Sequence, residues 1–139
     1  MYNSSCWAAP KVVLEKLDVC HRKHLRQIMN VRWPHSLMSN KTLYSRCNTT
    51  PLSVRAEASR WKMLGHVLRS PENSPAQAAL CFAVESMNTL PGRLGRHRIN
   101  LLSLIKCDLQ SRDLSLNSYD DILNLRILAH NRVVWKDMG

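Results

Sequence analysis

Apolar residues recur at intervals of three and four along most of the chain, and nowhere do they alternate over a run long enough for a strand. Over residues 11–30 the set Leu14, Leu17, Leu25 and Ile28, with Cys20 and His21 beside it, marks one face of a helix that opens after Pro10 and closes before Pro34. Lys11, Lys16, Arg22, Lys23 and Arg26 fall mostly off that face, so the helix can pack inward and present cations outward. Ser39 or Asn40 can cap a short helix through Arg46, and Thr50-Pro51 predicts an N-cap followed by proline in the first turn of a longer helix to about Arg69. The apolar set of that longer helix, Leu52, Ala56, Met63, Leu64, Val67 and Leu68, is only partly periodic. Gly65 in its middle costs about 1 kcal/mol against alanine, which points to a close helix approach.

The segment Ser70-Pro71-Glu72-Asn73-Ser74-Pro75 reads as a linker, and Ser74 with Gln77 predicts a capping box for a helix through about Glu85. Residues 90–98 hold Pro91, Gly92 and Gly95 and read as a basic loop, followed by an apolar helix over 99–109. Ser118 with Asp121 caps a last helix carrying Ile122, Leu125, Leu128, Ala129 and Val133. With no internal repeat, the expectation is an all-α fold of five or six helices with a basic Gly-Arg loop. Residues 1–70 form a basic helical part and 71–139 a helical continuation that includes the loop at 91–98, together one compact domain.

Charge sharpens this picture. The 139 residues carry a net charge of +10, with 20 Lys and Arg against 10 Asp and Glu. Residues 1–70 hold 12 Lys and Arg against Glu15, Asp18 and Glu57, whereas 71–139 are nearly balanced. Such an excess favours polyanionic partners, RNA or DNA above all. Cys6, Cys20, Cys47, Cys81 and Cys107 are odd in number and without a Cys-x-x-Cys pair, which fits reduced intracellular thiols. No apolar run approaches the length of a membrane span, and the N-terminus has no secretory pattern, so neither membrane nor export is expected.

Catalytic motifs are sparse. Tyr119-Asp120-Asp121 lacks the spacer that a metal-holding Tyr-x-Asp-Asp pattern needs, and Ser118 occupies the aromatic's place, so the carboxylates read as helix-start residues. Cys20 with His24, and His21 with His24, have helical spacings that bring two ligands together, but two ligands do not make a zinc site. There is no Gly-x-Ser-x-Gly turn, no phosphate-cradling Gly-x-x-x-x-Gly-Lys loop and no dinucleotide fingerprint. No enzyme, metal site, cofactor or small-molecule substrate is expected.

Cations interleave with aromatics at Arg32-Trp33, Arg60-Trp61-Lys62 and Trp135-Lys136, a pattern suited to phosphate contact with bases stacking beside it, although indoles in a small helical domain belong chiefly to its core. Arg55, Lys62 and Arg69 share a stripe at intervals of seven. The loop from Gly92 places Arg93, Arg96 and Arg98 where arginine forks could clamp phosphate. The candidate nucleic-acid-binding residues are therefore Arg22, Arg26, Arg32, Arg55, Arg60, Lys62, Arg69, Arg93, Arg96 and Arg98. His66 is expected to pair with a neighbouring helix.

Most of the chain resembles the segment that follows the polymerase core in non-LTR retrotransposon endonuclease-reverse transcriptases. The most specific piece is Arg60-Trp61-Lys62-Met63-Leu64-Gly65-His66-Val67-Leu68-Arg69, similar to that family's arginine-rich helix ending in Leu-Gly-His-Val-Leu-Arg. Tyr2 to Trp7 looks like the family's Tyr-Gly-x-x-x-Trp stretch near the end of the thumb, and His21, Leu25-Arg26, Ile28 and Arg32-Trp33 are similar to the pattern that follows it. Gly92-Arg93 with Arg96 and Arg98 resembles a Gly-Arg-Pro-Arg loop, and Leu128-Ala129-His130-Asn131-Arg132 before Trp135 resembles Leu-Ala-x-Asp-Arg-x-x-Trp. Leu94, Asn131 and Cys20 depart from the family's proline, aspartate and aromatic.

The Tyr-x-Asp-Asp palm of such polymerases is missing, and Met1 falls inside the thumb-like stretch, as in a reading frame truncated mid-protein. The resemblance implies a non-catalytic fragment that helps hold template RNA or target DNA beside the rest of a reverse transcriptase, with nuclear access. The competing expectation is a degenerate or domesticated remnant that serves as a helical protein-interaction module.

Overall fold

The protein is described by a computed structural model covering residues 3–32, 37–89 and 100–139, without the side chains of 87–89. It is all-α. A 3-10 turn at Ser4–Cys6 precedes seven α-helices among the described residues: α1 (Lys11–Ile28), α2 (Asn40–Arg46), α3 (Leu52–Arg69), α4 (Pro75–Thr89), α5 (Leu101–Gln110), α6 (Tyr119–His130) and α7 (Arg132–Asp137). One more helix forms than the five or six expected, because the last one divides at Asn131. That residue leaves helical geometry at ψ 92°, and its side-chain Oδ1 accepts from the Val134 N–H to cap α7. The Gly-Arg loop lies outside the described residues.

The chain divides into two compact units, residues 9–57 and residues 1–8 with 58–139, and the boundary falls within α3 rather than at the 70–75 linker. In the first unit α1 buries Leu14 and Asp18, and α2 buries Leu43 completely. Ser39 caps α2 by accepting from the Thr42 N–H at 3.1 Å. Helix α3 begins at Leu52, one residue later than the Thr50-Pro51 signal predicts. One of its first-turn N–H groups finds its acceptor across the unit: Asp18 takes the Ser53 N–H at 3.1 Å and also the Ser53 hydroxyl at 2.6 Å. A carboxylate at a helix N-terminus also complements the macrodipole.

The second unit has its own core, in which Trp61, Leu64 and Leu68 of α3 meet Val84, Leu102, Ile105, Leu109, Leu116, Ile122, Leu125, Ala129 and Trp135. Each of its helices after α3 starts on a side-chain cap. Ser74 accepts from the Gln77 N–H before α4, Asn100 from the Ser103 N–H before α5, and Ser118 with Asp121 forms a full capping box at α6. The Tyr119-Asp120-Asp121 triplet is thus the first turn of a helix. Asp121 accepts from the Asn117 and Ser118 N–H groups, and its carboxyl is held below the ordinary value chiefly by the Asn117 bond, with Ser115 assisting.

Candidate nucleic-acid interface

Helix α3 sets the geometry. Trp61 and Leu64 turn into the core, while Lys62 and His66, four residues apart, remain exposed beside them. Helix α7 lies against this side of α3 because of an indole pair. Trp61 and Trp135 stack with centroids 4.3 Å apart and planes 10° from parallel. Each also hydrogen-bonds the other's backbone: Trp61 Nε1–H donates to the Trp135 carbonyl at 2.7 Å, and Trp135 Nε1–H donates to the Trp61 carbonyl at 3.3 Å. Buried indole N–H groups need such partners.

Gly65 makes this seat possible, since a Cβ there would fall 2.3 Å from Trp135 Nε1. The close approach expected from this glycine is thereby explained. Arg112 lies over the Trp61 ring at 4.6 Å and reaches the Asp108 and Met138 carbonyls, fastening the end of α7 to α5.

The exposed flank of this assembly is a cleft of about 660 Å³ floored by Trp61 and Trp135. Lys62, His66 and Arg69 come from α3, and Arg132 and Lys136 come from α7. Gly139 also lines it, and among the described residues no Asp or Glu side chain does. Lys62, His66, Arg132 and Lys136 are exposed; Arg69 is half-buried, its Nη1 donating to the Ala129 carbonyl at 3.0 Å in the last turn of α6. A guanidinium there satisfies a terminal carbonyl and complements the helix dipole.

The structure separates the sequence-derived candidates. Lys62 and Arg69 meet in the cleft, whereas Arg55, on the same stripe, is exposed in the other unit. Arg60 turns inward: it is 4% exposed, and its Nε and Nη2 donate to the two oxygens of Asp108 at 2.9 and 3.2 Å. It belongs to the interior ion-pair framework and not to an outward phosphate-facing stripe. Arg26 donates to Asn40 Oδ1 at 2.7 Å and to the Met38 carbonyl, tying α1 to the start of α2.

Arg22 is half-buried and Arg32 exposed, both within 9–57. Arg93, Arg96 and Arg98 lie outside the described residues. His66 is exposed, so the expected pairing with a neighbouring helix gives way to a place on the cleft wall.

Sequence reasoning missed His66, Arg132 and Lys136 as cleft residues. The signal available was the Trp135-Lys136 adjacency together with the four-residue interval between Arg132 and Lys136, which puts both on one helical side. Elsewhere, Cys20 Sγ and His24 Nδ1 stand 3.7 Å apart, and among the described residues no cluster of three or more His, Cys, Asp or Glu is placed to hold a metal. Among those residues no helix is long and apolar enough to cross a membrane. Comparison with protein-family models, curated proteins and solved structures finds no match for this chain.

Proposed function

We propose that the chain is a non-catalytic nucleic-acid-holding segment of a non-LTR retroelement reverse transcriptase, gripping template RNA or target DNA by its backbone phosphates in the nucleus. The observation that carries this reading is the cleft between α3 and α7, where Lys62, His66, Arg69, Arg132 and Lys136 gather with no Asp or Glu among the described lining residues. Gathered lysine and arginine attract anions and release counterions when phosphate enters. Part of the same wall, Lys62 through Arg69, is the stretch that most resembles the retroelement family.

Fluorescence anisotropy with labelled RNA and DNA across a salt series tests the proposal, beside the variant Lys62→Ala, Arg132→Ala, Lys136→Ala. Arg69 is left intact because it also holds the end of α6. Three phosphate contacts give a slope of log affinity against log salt of about −2.7 for duplex DNA, and the variant should lose about that much of the slope. A folded protein that binds no nucleic acid at low salt would refute the proposal, and the protein-interaction remnant would then be the better account.

A further inference from the structure

The indoles under the cleft decide which form of nucleic acid it suits. A site for single strands offers aromatic faces on which unpaired bases stack. Here the two tryptophans stack on each other, Arg112 lies over the Trp61 ring, and Gly65 abuts the Trp135 indole edge. They are left 5% and 4% exposed. At Trp61-Lys62 and Trp135-Lys136 the sequence pattern therefore folds into something different from a stacking platform: the lysines face out and the rings are sealed, while Arg60 turns inward to Asp108.

The cations are spaced for a backbone. Lys62 and His66 on α3, and Arg132 and Lys136 on α7, are each separated by about 6 Å of helix rise. A nucleic-acid strand in a duplex carries one charge per roughly 3.4 Å of axis, so each wall spans about two phosphates.

We propose that the cleft binds the sugar-phosphate backbone of a duplex, DNA or RNA–DNA hybrid, in preference to a single strand. This rests on the nucleic-acid reading above and adds the form of the ligand. The duplex presents its phosphates at higher charge density, and a single strand gains nothing here from its exposed bases. For three contacts the electrostatic slopes are about −2.7 for duplex and −2.1 for single strands. If the electrostatic contribution vanishes near roughly 1 M salt, duplex binding is favoured about six-fold at about 50 mM.

The test uses the full chain with four fluorescein-labelled probes of one sequence: single-stranded DNA, single-stranded RNA, DNA duplex and RNA–DNA hybrid. Indole emission is followed in parallel, in the wild type and in Trp7→Phe, Trp33→Phe, which retains the paired indoles as its only tryptophans. The expected result is several-fold tighter binding of both duplex probes, no quenching of the paired indoles, and loss of duplex binding in Lys62→Ala, Arg132→Ala, Lys136→Ala with circular dichroism unchanged.

Tighter single-strand binding, or quenching of the paired indoles by unpaired bases, overturns the duplex proposal and leaves the nucleic-acid reading standing. Unchanged duplex affinity and salt slope in the triple variant also overturn it, because the cleft is then not the site. A folded protein that binds none of the probes at low salt overturns both. If Trp7→Phe, Trp33→Phe does not fold, the order of the four wild-type affinities decides.

Discussion

Replacing Asp108 by alanine should destabilise the second unit severely without touching the cleft. Arg60 is 4% exposed, and its paired side chains retain 5% and 19% of their accessibility. Two of its nitrogens are held by Asp108, and among the described residues Nη1 has no partner. The guanidinium therefore depends on that one carboxylate for compensation. Breaking a buried pair costs about 3–5 kcal/mol because the surviving charge is stranded. The partial exposure of Asp108 lets water approach the gap, which places the expected loss near the lower figure, about 3 kcal/mol.

That is a large share of the roughly 5–15 kcal/mol that stabilises a typical domain. Urea denaturation followed by indole emission measures it, since Trp61 and Trp135 belong to the same core as Arg60's neighbours. The double variant Arg60→Met, Asp108→Leu removes both charges and fills the space, and should recover to within about 1 kcal/mol of wild type. A loss below about 1 kcal/mol for Asp108→Ala alone would refute the view that this pair is an interior necessity.

Gly65→Ala should lower thermal stability by about 1–3 kcal/mol despite alanine's better helix propensity, because the added methyl meets the Trp135 indole; a melting curve checks it. Asp18→Ala should cost about 0.5–2 kcal/mol and loosen the first turn of α3, read as faster amide exchange at Ser53. The lowered Asp121 carboxyl contributes stability that is fully present above the ordinary carboxylate value of 3.8 and is lost as pH falls through its folded value. Asp121→Asn should therefore be less stable than wild type at pH about 6, with the difference narrowing at pH about 3.

Three of the caps that lie close in sequence were legible, though Asn100 before α5 and Asn131 before α7 were not. Ser39, Ser74 and Ser118 each meet an N–H three residues on, so a local pattern suffices to find them. The cap on α3 was not, because Asp18 and Ser53 are 35 residues apart and only tertiary packing joins them. The same limit governs the cations. Arg60 and Lys62 look alike in a basic stretch, yet Arg60 lies four residues before Leu64 and eight before Leu68, on the face that the core claims. That interval was present in the sequence but needed the identity of the buried face to be read. The division at Asn131 hid because Leu128, Ala129 and Val133 continue a helical rhythm through it, whereas an asparagine side chain suits a new cap there. The cleft joins α3 to α7 across more than sixty positions, and no local spacing encodes that meeting.

The stacked indoles also have an optical consequence. Two indoles 4.3 Å apart couple their electronic transitions, and the pair contributes its own far-ultraviolet circular dichroism, on top of the helical signal, in proportion to the rotation of one ring's in-plane transition moments relative to the other's. Helix content read directly from such a spectrum is distorted by that contribution. Its loss in Trp135→Phe, with the amide signal retained, turns the pair into a native reporter of whether α7 is seated on α3, and the same band can be followed during folding without any added label.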